Sequence, residues 1–103
     1  MTTNPQDPVG SPSLVTSIPT IKYYRDMYAP ASDANDQKGV AAFKMFESME
    51  KVRRLQRELE YVKGGKVSNT VLDKTLGKQR MSRYQDYENW ARLMLLWITQ
   101  AKQ

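Results

Sequence analysis

An all-α fold is what the sequence predicts: a small bundle or hairpin of two long helices joined by a short capped connector helix, behind a Pro-rich N-terminal tail. Three observations predict it. All five prolines (Pro5, Pro8, Pro12, Pro19 and Pro30) lie in the first thirty positions, leaving the remainder free of helix breakers of that kind. Beyond residue 37, apolar side chains recur every three or four positions, the period of a helix with one covered face. Ser, Asp and Asn stand before these runs and Gly after them, as helix starts and stops require. The expected divisions are a disordered tail (1–17), a short aromatic helix or linker (18–36) and a helical domain (37–103).

The tail, rich in Thr, Ser, Asn and Pro, has no apolar periodicity, so its ordering entropy is not offset by burial. It lacks the charged and apolar regions of a signal peptide. In "PTIKYYRDMYAP", Thr20 is a candidate cap, Ile21, Tyr24 and Tyr28 share a face, and Pro30 ends the helix. Such a short helix is marginal alone. It either packs back onto the domain or docks on a partner, and its four aromatic or Met side chains favour packing back.

Asp33, Asn35 and Asp36 are candidate caps for a long helix running to "KGG", where Gly64 supplies a left-handed stop. Ala42, Met45, Met49, Val52, Leu55, Leu59 and Val62 form its stripe, widened by Phe43 and Phe46. Glu47 with Lys51 and Glu50 with Arg54 are helix-supporting pairs at i,i+4. Ser68 or Asn69 then caps the connector, with Val71, Leu72 and Leu76 inward and Gly77 as its stop. In "SRYQ", Ser82 and Gln85 have the spacing of a capping box, opening a last helix from Arg83 to Ala101. Two apolar stripes run along it, Tyr84–Tyr87–Ala91–Met94–Ile98 and Trp90–Leu93–Trp97. A helix this broadly apolar needs cover on two sides.

The run "VSNTVLDKTLG" (67–77) resembles the second helix of a DNA-reading helix-turn-helix, matched by Val67, Ser68, Thr70, Val71 and Leu76. That resemblance implies Asn69, Asp73 and Lys74 facing the major groove, with Lys78, Arg80 and Arg83 on phosphates. The flanking residues depart from the pattern. Lys66 intervenes between Gly65 and Val67, Tyr61 is too bulky for the close contact four positions before Gly65, and the preceding helix is too long. The reading adopted is a capped connector.

With no His and no Cys, the chain lacks imidazole acid–base chemistry, thiol nucleophiles and the common zinc ligand sets. Ser68 and Ser82 have no base nearby in sequence, and Asp86 and Glu88 diverge around their helix. The expectation is a non-enzymatic protein with no cofactor and no metal.

The net charge of +5 is concentrated late, since residues 64–103 hold seven Lys/Arg against three acids. This points to an acidic partner. The leading expectation is a small basic subunit of a nucleoprotein assembly. It would bind nucleic acid through phosphates, without regard to sequence, using Arg53, Arg54, Arg57, Lys74, Lys78, Arg80 and Arg83. The alternative is a protein–protein adaptor or scaffold, a homo-oligomer or subunit of a larger complex, joined through Trp90, Leu93, Leu96 and Trp97, because aromatic anchors carry interface energy. The longest apolar run, Leu93 to Ile98, is six residues, so no membrane span is expected. Without an export signal or cysteine, a cytoplasmic location is expected.

Overall fold

A computed structural model describes residues 15–101 of the chain. Of the tail expected over 1–17, residues 1–14 lie outside the described residues. Val15 and its neighbours are placed: Val15 forms a parallel bridge with Val67, and its N–H donates to the Lys66 carbonyl at 2.8 Å.

The described residues form α1 (Pro19–Tyr28), α2 (Asp36–Phe46), α3 (Met49–Lys63), α4 (Asn69–Thr75), α5 (Lys78–Tyr84) and α6 (Tyr87–Gln100). The all-helical expectation therefore holds, while the hairpin of two long helices does not. Each long helix is broken once.

The first break falls at Glu47–Ser48. Glu47 leaves the helix with ψ 161°, and the Ser48 side chain accepts from the Lys51 N–H, starting α3 afresh. Glu47 is held out of line because its carboxylate accepts from the Tyr23 and Tyr28 hydroxyls of α1 and pairs with Lys51. The hydroxyl of Tyr28 is the main influence holding this carboxyl below its usual range. The anticipated continuous stripe is consequently interrupted. Met45, Phe46 and Met49, expected to pack inward, lie exposed at the corner.

The second break replaces the anticipated capping box. Ser82 sits inside α5, and Gln85 ends that helix at φ 80°, a sterically costly value for a side-chain-bearing residue. Asp86 is the true cap, accepting from the Asn89 N–H at 2.7 Å.

The other helix ends follow the expected signals more closely. Ser68 caps α4 by accepting from the Val71 N–H. The C-terminus of α3 closes one residue later than anticipated, at Gly65 (φ +72°). There the Gly65 N–H bonds Val62 O and the Lys66 N–H bonds Tyr61 O, the paired pattern of a Schellman motif.

α1 packs back onto α2 and α3. Thr20 does not cap it. Instead the Glu58 carboxylate of α3 accepts from the Thr20 and Ile21 N–H groups at 3.1 and 2.8 Å. A carboxylate there also opposes the positive end of the helix dipole.

Around α6 the other helices close the core. The end of α3 lies by the start of α6, since a Cβ on Gly65 would sit 3.1 Å from Glu88 Oε2, so these two helices run antiparallel. α2 runs alongside α6 in the same sense, with Asp36 at Trp90 and the Lys44 ammonium on the Ile98 carbonyl. Phe43, Leu55, Leu59, Trp90, Met94 and Ile98 are among the fully buried side chains between them. No helix among the described residues is long and apolar enough to cross a membrane.

Candidate functional site

The basic cluster expected around the connector is divided by the fold. Arg80 is fully buried, so it cannot meet a phosphate at the surface. Its guanidinium donates to Asp36 Oδ1 at 3.0 Å and to the carbonyls of Ala29 and Ala31 at 2.8 and 2.7 Å. The physical reason is Asp36, the first residue of α2, whose carboxylate is the polar centre of the core. Tyr24 and Arg80 donate to its Oδ1; Arg83, Tyr84 and the Trp90 indole donate to its Oδ2. A buried charge is tolerated when its lone pairs are filled in this way. Gly39 makes room for the network, because a Cβ there would come 2.7 Å from the Tyr24 hydroxyl.

Arg83 is partly committed to the same carboxylate, at 3.2 Å, with about a third of its side chain exposed. Asp73 does not project toward a groove, as the helix-turn-helix likeness implied; it accepts from the Tyr87 hydroxyl at 2.8 Å. Lys74 and Lys78 are exposed. Among the described residues, neither they nor Arg53 and Arg57 have an ion-pair partner within 4 Å.

Two clefts gather part of this charge. The larger, about 530 Å³, opens between α1 and α3 and is lined by Tyr23, Lys51, Arg54, Arg57, Glu58 and Tyr61, with Ser17 and Pro19 at its rim. The second, about 320 Å³, lies between α1 and α4, lined by Lys22, Lys74, Val71 and Thr75 with the same Ser17 and Pro19. The segment through Ser17 and Pro19 is therefore a shared ridge with cations on both sides. Arg53 and Lys78 line neither cleft.

The acids in this region are engaged. Glu58 lines the larger cleft, but its oxygens face the first amides of α1. Glu50 pairs with Arg54 in an exposed i,i+4 contact, and Lys51 pairs with Glu47 while its ammonium lies 4.2 Å from the centre of the Tyr23 ring. Such pairs are worth about 0.3–0.5 kcal/mol, so a phosphate competes with them readily.

The expected interface along the last helix is redistributed in the same way. Trp90 is fully buried at Asp36 and offers no free surface. Leu93 is half-buried; so is Trp97, packed edge-on against Tyr84, while Leu96 is exposed. Most of the aromatic surface that needed cover is covered within the chain, by α2, α3 and α5. Three of the exposed large apolar side chains group instead at the α2–α3 corner, Phe46 at 73% exposed, Met45 at 58% and Met49 at 48%, while Met27 and Leu96 are exposed elsewhere.

No three acidic groups come together to hold a metal among the described residues. Sequence reasoning missed the role of Asp36, which reads along the chain only as a possible cap. A usable signal was the run Lys78–Arg83, which has no acid within it although Met81 and Tyr84 give its helix an apolar side. An arginine so placed needs a remote carboxylate. The chain matches no family model, no curated protein and no solved structure.

Proposed function

We propose that the protein binds nucleic acid through the phosphate backbone, as a non-enzymatic basic component of a nucleoprotein assembly. One observation carries this reading. The two clefts share the Ser17–Pro19 ridge, so Lys51, Arg54 and Arg57 on one side and Lys22 and Lys74 on the other form a single basic band. Phosphates spaced along a strand suit such a band, and contacts to them carry no sequence information. Arg57 and Lys74 are its leading residues, since among the described residues neither has an acid to exchange for a phosphate, whereas Lys22, Lys51 and Arg54 each have one.

Reversing Arg54 and Arg57 together to Glu should weaken binding to every sequence alike. It should also lower the slope of log affinity against log salt by about two, roughly one for each phosphate no longer neutralised. Arg53→Glu, one residue away but outside the cleft, should have a much smaller effect. Titrations over several sequences and salt concentrations check this. Equal losses from Arg53→Glu and Arg57→Glu would show a diffuse charge effect instead of a site.

A second reading has its own observation, the exposed Met45, Phe46 and Met49 at the α2–α3 corner. Exposed apolar side chains grouped in this way suit a protein contact, here self-association. Phe46→Glu should convert a dimer to monomer in sedimentation experiments without loss of helix. A wild-type chain that is monomeric at high concentration removes this reading.

A further inference from the structure

We infer that the ligand of the α1–α3 cleft is single-stranded nucleic acid, with one unpaired base stacked on the ring of Tyr61 and the adjoining phosphates on Arg54 and Arg57. This rests on the phosphate-binding reading above and names the class of strand it takes.

The observation that carries it concerns the six tyrosines of the chain. Five of them place their hydroxyls on carboxylates: Tyr23 and Tyr28 on Glu47, Tyr24 and Tyr84 on Asp36, and Tyr87 on Asp73. Tyr61 has no hydroxyl partner and no aromatic or cation partner for its ring among the described residues, although it is half-buried against the core. It is also the one of the six that lines the basic cleft without such an anchor, Tyr23 being the other tyrosine there.

Tyr61 has a fixed backbone position and a side chain supported from beneath. It packs against the core, and its carbonyl is locked into the α3 terminus by the Lys66 N–H at 2.9 Å. Tyr23, held by Glu47 and with Lys51 over its ring, lines the same cleft near the start of α3. The cleft, at about 530 Å³, has room for a base on Tyr61 together with its adjoining phosphates. Bases stack on aromatic side chains whatever their identity, and Arg beside the ring adds a further favourable contact. A duplex cannot use this geometry, because its bases are already stacked and paired inside a rod.

The experiment uses the full chain and labelled oligo(dT) and oligo(rU), compared with a duplex of equal length, by fluorescence anisotropy at several salt concentrations. The wild type is expected to prefer single strands. Tyr61→Leu, which keeps the apolar volume and removes the flat ring, should weaken single-strand binding about tenfold, the loss of one base stack. Duplex binding and the salt slope should be unchanged. Tyr61→Phe should stay near the wild type, and Tyr61→Trp should match or exceed it.

Several outcomes overturn the inference. Equal affinity for single strand and duplex would do so while leaving phosphate binding intact. A single-strand preference unaffected by Tyr61→Leu would remove the stacking role, and a Tyr61→Phe defect as large as that of Tyr61→Leu would assign the contact to the hydroxyl. Absence of binding to any strand at low salt would remove this inference and the phosphate reading together.

Discussion

Asp36→Ala is expected to cost about 3–5 kcal/mol of folding stability, the usual consequence of leaving a buried partner charge uncompensated. That is a large share of the roughly 5–15 kcal/mol by which domains are stable. The partner is Arg80, fully buried with Asp36 as its one ion-pair partner among the described residues. Tyr24, Tyr84 and the Trp90 indole lose an acceptor in the same step. Urea unfolding followed by helix content and Trp fluorescence checks the effect. Adding Arg80→Met to Asp36→Ala should recover a substantial part of the loss, because the stranded charge is gone. A loss below about 1 kcal/mol in the single variant would mean that water reaches Arg80 once Asp36 is removed.

Alkaline pH is expected to unfold the protein steeply. Burial, reinforced by neighbouring carboxylates, raises Tyr28 and Tyr84 from the ordinary value near 10 to about 12. Tyr24 and Tyr87 are raised as well, again chiefly by burial, with Asp36 and Asp73 respectively adding to it. Because the folded values exceed the unfolded one, the stabilisation is complete below about pH 10 and disappears as pH rises toward 12 and beyond. In that window a buried tyrosine lowers stability by up to about 1.4 kcal/mol per pH unit, and less for the partly solvated Tyr28 and Tyr84. Tyr24 and Tyr84 titrate as a coupled pair, because both donate to Asp36. Thermal unfolding between pH 8 and 11.5, with tyrosinate absorbance recorded alongside, measures this. Constant thermal stability across the range, or tyrosines ionising near pH 10 with helix intact, would contradict it.

The helical class and the closures at Ser68 and near Gly64 were legible because they depend on neighbours in sequence. The packing of α1 was legible too, from the density of aromatic residues in "IKYYRDMY". The breaks at Glu47 and Gln85 were not. Periodicity runs through both, and nothing within a few residues of Glu47 announces that Tyr23 and Tyr28 grip it. Ser48 in the middle of a helical stripe was the available hint. The real cap at Asp86 lay one residue beyond the apparent capping box, whose Gln85 adopts a backbone conformation that no spacing rule anticipates.

The candidate site divides along the same line. Arg54, Arg57 and Lys74 were recognisable as basic residues on a helix surface, and the fold places the two arginines in one cleft and Lys74 in the neighbouring one. Arg80 looked no different from them in sequence. Its fate is decided by an aspartate 44 positions earlier, which a local reading cannot pair with it. Trp90 misled for the same reason, since its indole nitrogen finds Asp36 across the core. Tyr61 stands out in sequence only as too large for a tight helix contact, and its lack of a hydroxyl partner among the described residues emerges once the other five tyrosines are placed.

The cap that Glu58 places on α1 has a consequence for the order of events during synthesis. Thr20 and Ile21 leave the ribosome well before the carboxylate that satisfies their amides, which lies 38 positions after Thr20. At translation rates of about 5–20 residues per second, that interval lasts seconds. An isolated helix as short as α1 does not persist over such a time. The nascent segment therefore stays unstructured until α3 forms and presents Glu58. The helix synthesised first among the described elements is stabilised only after a later one, and the growing chain exposes Tyr23, Tyr24 and Tyr28 to its surroundings in the meantime.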